Sequence, residues 1–235
     1  MIVLNTTLLE AKREMRSRVI ERRNNIPADK RASKSIELCN RLLAETTSRI
    51  SRGSIVAAFY PLGSEADLRP YLLDLFDLGY RVALPAMVKS ELRSMEKPTL
   101  PDTEKLELPD TVKPEGTEYA QASRASMVFL EMDKSTIESA DAGFLQRPAK
   151  PLASDSPDLA RFTVVEPENM DMVVVPLVAF DSRYNRLGYG GGNYDGFLGK
   201  LRENTVVVGA AFEEQKVDTV PLEPHDRPLP AIIFA

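Results

Sequence analysis

The run Arg186-Leu187-Gly188-Tyr189-Gly190-Gly191-Gly192-Asn193-Tyr194-Asp195 holds four glycines within five positions, an arginine before them and an aspartate close behind. Glycine at that density lets the backbone turn tightly and bring successive N–H groups near an anion. A helix is predicted from about Tyr194 to Leu201, so the loop enters a helix N-terminus whose partial positive charge also favours an anion. Arg186 offers a guanidinium fork for phosphate oxygens. Asp195 offers a carboxylate that could hold a magnesium ion bridging those phosphates. Spacing argues against two other phosphate loops. A dinucleotide fingerprint needs G-x-G-x-x-G directly after a strand; here Asn193 stands at the third glycine, and about a dozen residues separate Val175 from Gly188. A P-loop ends in Gly-Lys-Ser/Thr, which Gly192-Asn193-Tyr194 does not supply. On this motif alone, a glycine-rich hairpin without a ligand is the alternative.

Two other groups could serve the same chemistry. Lys12, Arg13 and Arg16 lie on a first helix, and Lys12 and Arg16, four apart, share a face beside its apolar stripe. They could reach a phosphate site or form a solvated basic face. Phe59-Tyr60-Pro61-Leu62-Gly63-Ser64-Glu65 ends a strand in a turn carrying a carboxylate. Ligands of α/β sheets bind beyond the carboxyl ends of strands, so these residues could line a pocket; a solvated or capping glutamate is the alternative.

The elements that must position these residues are legible in part. Leu8, Ala11, Met15 and Val19 recur at helical spacing up to Asn24-Asn25. A second helix is predicted from Pro27 to about Arg49, with Ile36, Leu38, Leu42 and Leu43 on its apolar side. Ile55 to Tyr60 reads as a buried strand, Leu68 to Leu78 as a helix that Asp67 could cap, and Tyr80 to Leu84 as the next strand. This is a βαβ unit and implies a parallel sheet covered by helices. Met127 to Leu130, Met172 to Val175 and Thr205 to Ala211 read as further strands. Between them, about 88–124 and 133–160 are polar, proline-interrupted stretches that read as surface insertions. The proline-rich segment from Val217 to Pro230 is expected to wrap over the surface.

Composition narrows the function classes. Thirty-five acidic against thirty basic residues give a net charge of -5, which disfavours dedicated nucleic-acid binding. A single cysteine, Cys39, and a single histidine, His225, leave no material for a thiolate cluster or a histidine-rich metal site. Cys39 reads as a small buried apolar residue, and His225 as structural or as a pocket-edge residue rather than a base. Any metal must therefore be held by oxygen ligands, which suits magnesium. No signal peptide or membrane-length apolar run is read, so a cytoplasmic monomer is expected.

Taken in order, the blocks Lys12-Arg13-x-x-Arg16, Phe59-Tyr60-Pro61-x-x-x-Glu65, Glu166-Pro167, Val175-Pro176-x-x-Ala179-Phe180-Asp181, Arg186 to Gly192, Ala211-Phe212-x-x-Gln215 and Pro221-x-Glu223-Pro224-His225-Asp226 resemble one family. It is the 5-formyltetrahydrofolate cyclo-ligases, also called 5,10-methenyltetrahydrofolate synthetases, ligases of one-carbon metabolism. The resemblance covers both ends of the chain but not 88–160. It implies one α/β domain over 1–235, a three-layer α/β/α fold of CoA-transferase-like type with a mainly parallel sheet. It also implies ATP-dependent closure of 5-formyltetrahydrofolate to the 5,10-methenyl compound, with release of ADP and phosphate and with Mg2+ as metal. By this resemblance Lys12, Arg13, Arg16 and the run Arg186, Leu187, Gly188, Tyr189, Gly190, Gly191, Gly192, Asn193 and Tyr194 would bind ATP, with Arg186 and Lys12 catalytic. Phe59, Glu65, Met127, Tyr189 and Asn193 would contact the folate, and Asp195 and Asp226 the metal. Two positions depart from the pattern: Asn193 replaces the first of two tyrosines, and Pro230 stands where a metal-associated aspartate would fall. A ligase or kinase acting on another pterin or a thiamine-like substrate, and a non-catalytic folate or nucleotide binder, are the alternative readings.

Overall fold

Three short apolar runs, Ile55–Ala57 (β1), Met172–Pro176 (β5) and Val206–Ala211 (β8), lie side by side and parallel at the centre of a seven-stranded sheet. The computed structural model describes residues 2–89, 125–223 and 226–235. Most of the first polar stretch, and His225, fall outside the described residues. Arg81–Lys89 (β2) pairs parallel with β1, and Ala231–Phe234 (β9) parallel with β8. Ala125–Met132 (β3) and Val164–Val165 (β4) extend the other edge antiparallel, giving the order β4-β3-β2-β1-β5-β8-β9.

The strand period of two divides these residues between two cores. Val56, Val82, Val174 and Val208 face one side, against Leu38, Cys39 and Leu42 of helix α2 (Ala28–Arg49) and Tyr71, Leu72 and Leu75 of α3 (Arg69–Asp77). Ile55, Ala57, Val173 and Val175 face the other side, against Phe197 of α7 (Asn193–Leu198), Leu177 and Leu229. Helices and loops thus cover both faces of a mainly parallel sheet, an α/β fold as expected. The long first helix, α1 (Ile2–Asn24), packs Val19 against Val178, Leu187 and Val220 in a third, smaller cluster. No helix among the described residues is long and apolar enough to cross a membrane.

Several expectations need correction. Ile36 is 57% exposed and lies off the buried face of α2. The N-cap position of α3 is Leu68, and Asp67 caps from one residue earlier, its carboxylate accepting the Arg69 N–H at 3.1 Å while also pairing with the Arg69 guanidinium. Strand β2 runs past Leu84 through Pro85 because it has no β1 partner beyond Ala83, so the proline's missing N–H breaks no ladder bond on that side. The stretch 133–160 is no polar insertion: helices α4 (Lys134–Ser139), α5 (Gly143–Gln146) and α6 (Pro157–Arg161) form there, and Ile137, Phe144 and Leu145 are buried in the first core. Each such side chain contributes about 1.5–3 kcal/mol of burial, enough to hold the segment down.

Candidate functional site

The chain leaves β1 toward β2 and leaves β5 toward β8, so its winding reverses between two adjacent strands. A crevice opens beyond the carboxyl ends of strands at such a point, because consecutive connections diverge there. Residues 58–65 follow β1 and line one side; the segment after β5 lines the other. Gln215 fixes that second exit, its Nε2 donating to the carbonyl of Leu177 at 2.6 Å. Next comes a hairpin, Ala179–Phe180 (β6) with Arg186–Leu187 (β7). Its turn is organised by Asp181, which is 2% exposed and whose carboxylate accepts from the N–H groups of Arg183, Asn185 and Val220 and from the Asn185 amide. Burial alone would raise the Asp181 pKa, but these donors outweigh it and hold the pKa below the usual value.

The hairpin delivers Arg186 and the glycine loop to a polar cavity of about 440 Å³, lined also by Lys12, Arg16, Asp195, Glu223, Asp226 and Arg227. Arg16 donates from Nε to the carbonyl of Gly188 at 2.8 Å. Its guanidinium lies so close over Gly190 that a Cβ there would sit 3.3 Å from Cζ, and Gly190 has φ +102°. Arg186 pairs with Asp195 and donates to the carbonyl of Arg227 at 3.1 Å. Lys12, 5% exposed, is held between Glu223 and Asp226 at 2.6 Å from each. Burial lowers its pKa, but hydrogen bonds and charge from the two carboxylates outweigh this and leave it raised, so Lys12 is a fixed cation. Helix α7 has only six residues. Its dipole is therefore small, and the helix end adds less positive potential to the cavity than a full-length helix would.

Beside it lies a larger, mostly apolar cavity of about 530 Å³, lined among others by Phe59, Leu62, Glu65, Met87, Met127 and Phe144. Its polar wall is a network. The Tyr189 hydroxyl donates to Glu65 and accepts from Arg23 Nη1 at 3.0 Å; Arg23 Nε donates to Ser64 Oγ, also at 3.0 Å; and Ser64 Oγ bonds Asn24. Burial raises the Glu65 pKa, opposed by the Tyr189 hydroxyl, the Leu62 N–H at 2.9 Å and the Arg23 charge; the result is a carboxyl above its ordinary value. The two cavities share Pro176, Tyr189, Asn193 and Tyr194.

Of the residues singled out from sequence, Lys12, Arg16, Arg186 to Asp195 and Asp226 all line the polar cavity, and Phe59, Glu65, Met127, Tyr189 and Asn193 the apolar one. Arg13 is not brought in: it points to solvent from the exposed side of α1. Two participants were missed. Arg23, 4% exposed, lies eleven residues after Lys12, just over three helical turns, and so on the same face; that periodicity was the available signal. Glu223 stood inside a quoted block, but nothing in its type distinguished it from a solvated glutamate.

The model of the 5-formyltetrahydrofolate cyclo-ligase family matches residues 9–235. A 5-formyltetrahydrofolate cyclo-ligase of Mycolicibacterium smegmatis is 25% identical over 216 residues, covering 92% of this chain and 89% of that one. The one of Escherichia coli K12 is 45% identical over 65 residues, 27% of this chain; the match spans only 36% of the relative's length. Among solved structures, the 5,10-methenyltetrahydrofolate synthetase of Mycoplasma pneumoniae aligns with a TM-score of 0.62 at 17% identity, covering 94% of this chain and 97% of that one. The one of Aquifex aeolicus aligns at 0.60 and 22%, covering 95% and 89%.

Proposed function

Because this chain belongs to the 5-formyltetrahydrofolate cyclo-ligase family, we propose that it converts 5-formyltetrahydrofolate to 5,10-methenyltetrahydrofolate at the expense of ATP. The carrying observation is the seam between the two cavities: a cation-lined chamber and an apolar chamber meet at Pro176, Tyr189, Asn193 and Tyr194. That arrangement suits a reaction in which a polyanion and a flat aromatic substrate must touch at one end each.

ATP phosphates occupy the polar cavity, against Lys12, Arg16 and Arg186, with the backbone of Gly188 to Gly192 close by. The pterin enters the apolar cavity, where Glu65 accepts from its ring donors and Phe59 and Met127 cover its faces. The formyl oxygen attacks the γ-phosphorus as the bond to ADP breaks. N10 then attacks the activated formyl carbon and gives up its proton, and the C–O bond breaks to release phosphate. No protein nucleophile is needed; the chain supplies alignment and charge neutralisation.

Asp195 and Asp226 fit a magnesium ion, which takes one or two carboxylates together with substrate phosphates, since both face the polar cavity. When bound, that ion would offset negative charge on the phosphates. Phosphate arriving at Arg186 and Lys12 would take over the cations that these carboxylates now hold.

The reading is tested by mixing the protein with 5-formyltetrahydrofolate and following the near-ultraviolet absorbance of the methenyl product. Product that requires both ATP and Mg2+ is expected. ATP hydrolysis stimulated by a different pterin, with no methenyl product, would move the substrate elsewhere and point to Asn193.

A further inference from the structure

The apolar cavity does not end at the crevice. From the turn after β1 it runs outward over β2 and β3, neighbouring strands being about 4.8 Å apart, past Met87 and Met127, which are paired across the β2–β3 ladder. Phe144, Leu145, Pro148 and Ala149 close it on that side. Phe144 and Leu145 are also buried in the first core and anchor the closing segment. The segment is then stitched to β2: the Leu152 N–H donates to the Met87 carbonyl at 2.8 Å, and the Lys89 N–H donates to the Leu152 carbonyl at 2.9 Å. Three cations gather there. Lys150 comes two residues before Leu152 and so lies near Lys89. The Lys150 N–H donates to the Arg147 carbonyl at 2.9 Å, a turn that brings their Cα atoms within about 7 Å. Lys89 follows Met87 by two residues and shares its face of β2.

All three cations are exposed, and among the described residues none has a carboxylate partner. The neighbouring Arg161, by contrast, pairs with Asp141. Cations without carboxylates of their own, on the rim of an apolar cavity, suit a ligand with an apolar body and an anionic end. Resting on the cyclo-ligase reading, we propose that Lys89, Arg147 and Lys150 receive the glutamate arm of the folate, and that the protein prefers folates whose arm is an oligo-γ-glutamate. A pterin held through its ring donors at Glu65 turns its opposite edge away from that carboxylate, and the aminobenzoyl arm extends from that edge. The benzoyl ring then lies among Met87, Met127 and Pro148, and the carboxylates beyond it emerge at the rim. Each further γ-linked glutamate adds one carboxylate. Arg147 can take one through both arms of its fork, while the lysines act as point charges.

Titrations with three probes test this: 5-formyltetrahydropteroate, which lacks glutamate, 5-formyltetrahydrofolate, and its tri-γ-glutamate. Wild-type affinity should rise along the series. The triglutamate should bind about tenfold more tightly than the monoglutamate at about 0.05 M salt, and the gap should shrink at about 0.5 M, because exposed charge pairs are weak singly and are screened. The triple variant Lys89→Gln, Arg147→Gln, Lys150→Gln changes only exposed positions. Its apo Tm and its affinity for the pteroate probe should match wild type, while the advantage of the triglutamate should fall below about twofold. Removing charge elsewhere, with Lys30→Gln and Arg52→Gln, should leave that advantage intact. A wild-type preference below twofold, or a triple variant that keeps the preference, overturns the proposal. So does an equal loss for all three probes, which would place the defect at the pterin. Methenyl product from none of the probes would strike the cyclo-ligase reading, while the affinity series would still report on the arm.

Discussion

The Tyr189 hydroxyl donates to the Glu65 carboxylate across 124 residues of sequence, tying the glycine loop to the turn after β1. One contact thus joins the two walls of the crevice, and it places a carboxyl of raised pKa against the apolar cavity. Being raised, that pKa means the folded state holds the proton more tightly than the unfolded chain. Stability from Glu65 therefore falls as pH climbs from the ordinary carboxylate range through the raised value. Glu65→Gln should keep an acceptor for Tyr189 but remove the desolvated charge. Its Tm at pH 8 should equal or exceed that of wild type, the difference closing in acid below the ordinary carboxylate pKa. Folate affinity should drop roughly ten- to a hundredfold, since a hydrogen bond to a charged group is worth roughly 1.5–3 kcal/mol. Thermal scans across pH and folate titrations check both halves.

Lys12 answers to two carboxylates at 2.6 Å. Lys12→Gln leaves Glu223 and Asp226 facing each other without a cation, a loss of about 2 kcal/mol for a partly buried cluster. Adding Glu223→Gln should restore part of that stability but none of the nucleotide affinity. Denaturant melts paired with ATP-analogue titrations separate the two effects.

Neighbouring glycines should behave differently. At Gly190 a Cβ meets the Arg16 guanidinium, and φ is +102°. Gly190→Ala should displace Arg16 and weaken nucleotide binding tenfold or more. Gly191 has no positive φ, and its close neighbour is the tip of the exposed Asn193 side chain at 3.2 Å, which can swing away. Gly191→Ala should therefore stay within about threefold of wild type, because a flexible tip yields at little cost. Binding curves for the pair decide it.

Asp181 is a scaffold carboxylate. Its pKa is lowered, so its contribution to stability is present above the ordinary aspartate pKa and is lost as pH falls through the lowered value. Asp181→Asn should cost about 1–3 kcal/mol at neutral pH, with the gap to wild type shrinking in acid. Urea melts at pH 7 and pH 3.5 measure it.

The central strands were legible because β1, β5 and β8 are buried on both faces and read as unbroken apolar runs. Strand β2 reads short at Pro85 because a proline ordinarily ends a strand; only the sheet pairing, in which β1 stops at Ala57 opposite Ala83, shows that nothing is lost there. Strand β9 went unread because Ala231–Phe234 is four residues at the chain's end, and its assignment depends on a partner 20 or more positions away. The helices of 133–160 were hidden because each is one or two turns long. Phe144 and Leu145 are buried by tertiary packing, not by any local periodicity.

In the site, the glycine loop and Lys12 with Arg16 were readable from residue type and spacing. Their pairings were not. Nothing local says that Lys12 will meet Glu223, 211 residues away, or that Arg186 will spend its charge on Asp195. Such partners follow from topology, which brings the tail and the hairpin to one end of the sheet.

The most direct measurement follows one oxygen atom. With 5-formyltetrahydrofolate labelled by 18O in its formyl group, and ATP and Mg2+ supplied, mass spectrometry of the released phosphate should find the label there, one atom per turnover. That is what phosphoryl transfer across the seam between the two cavities requires. Methenyl product accompanied by unlabelled phosphate would mean that ATP is hydrolysed apart from the formyl group, and would contradict the account.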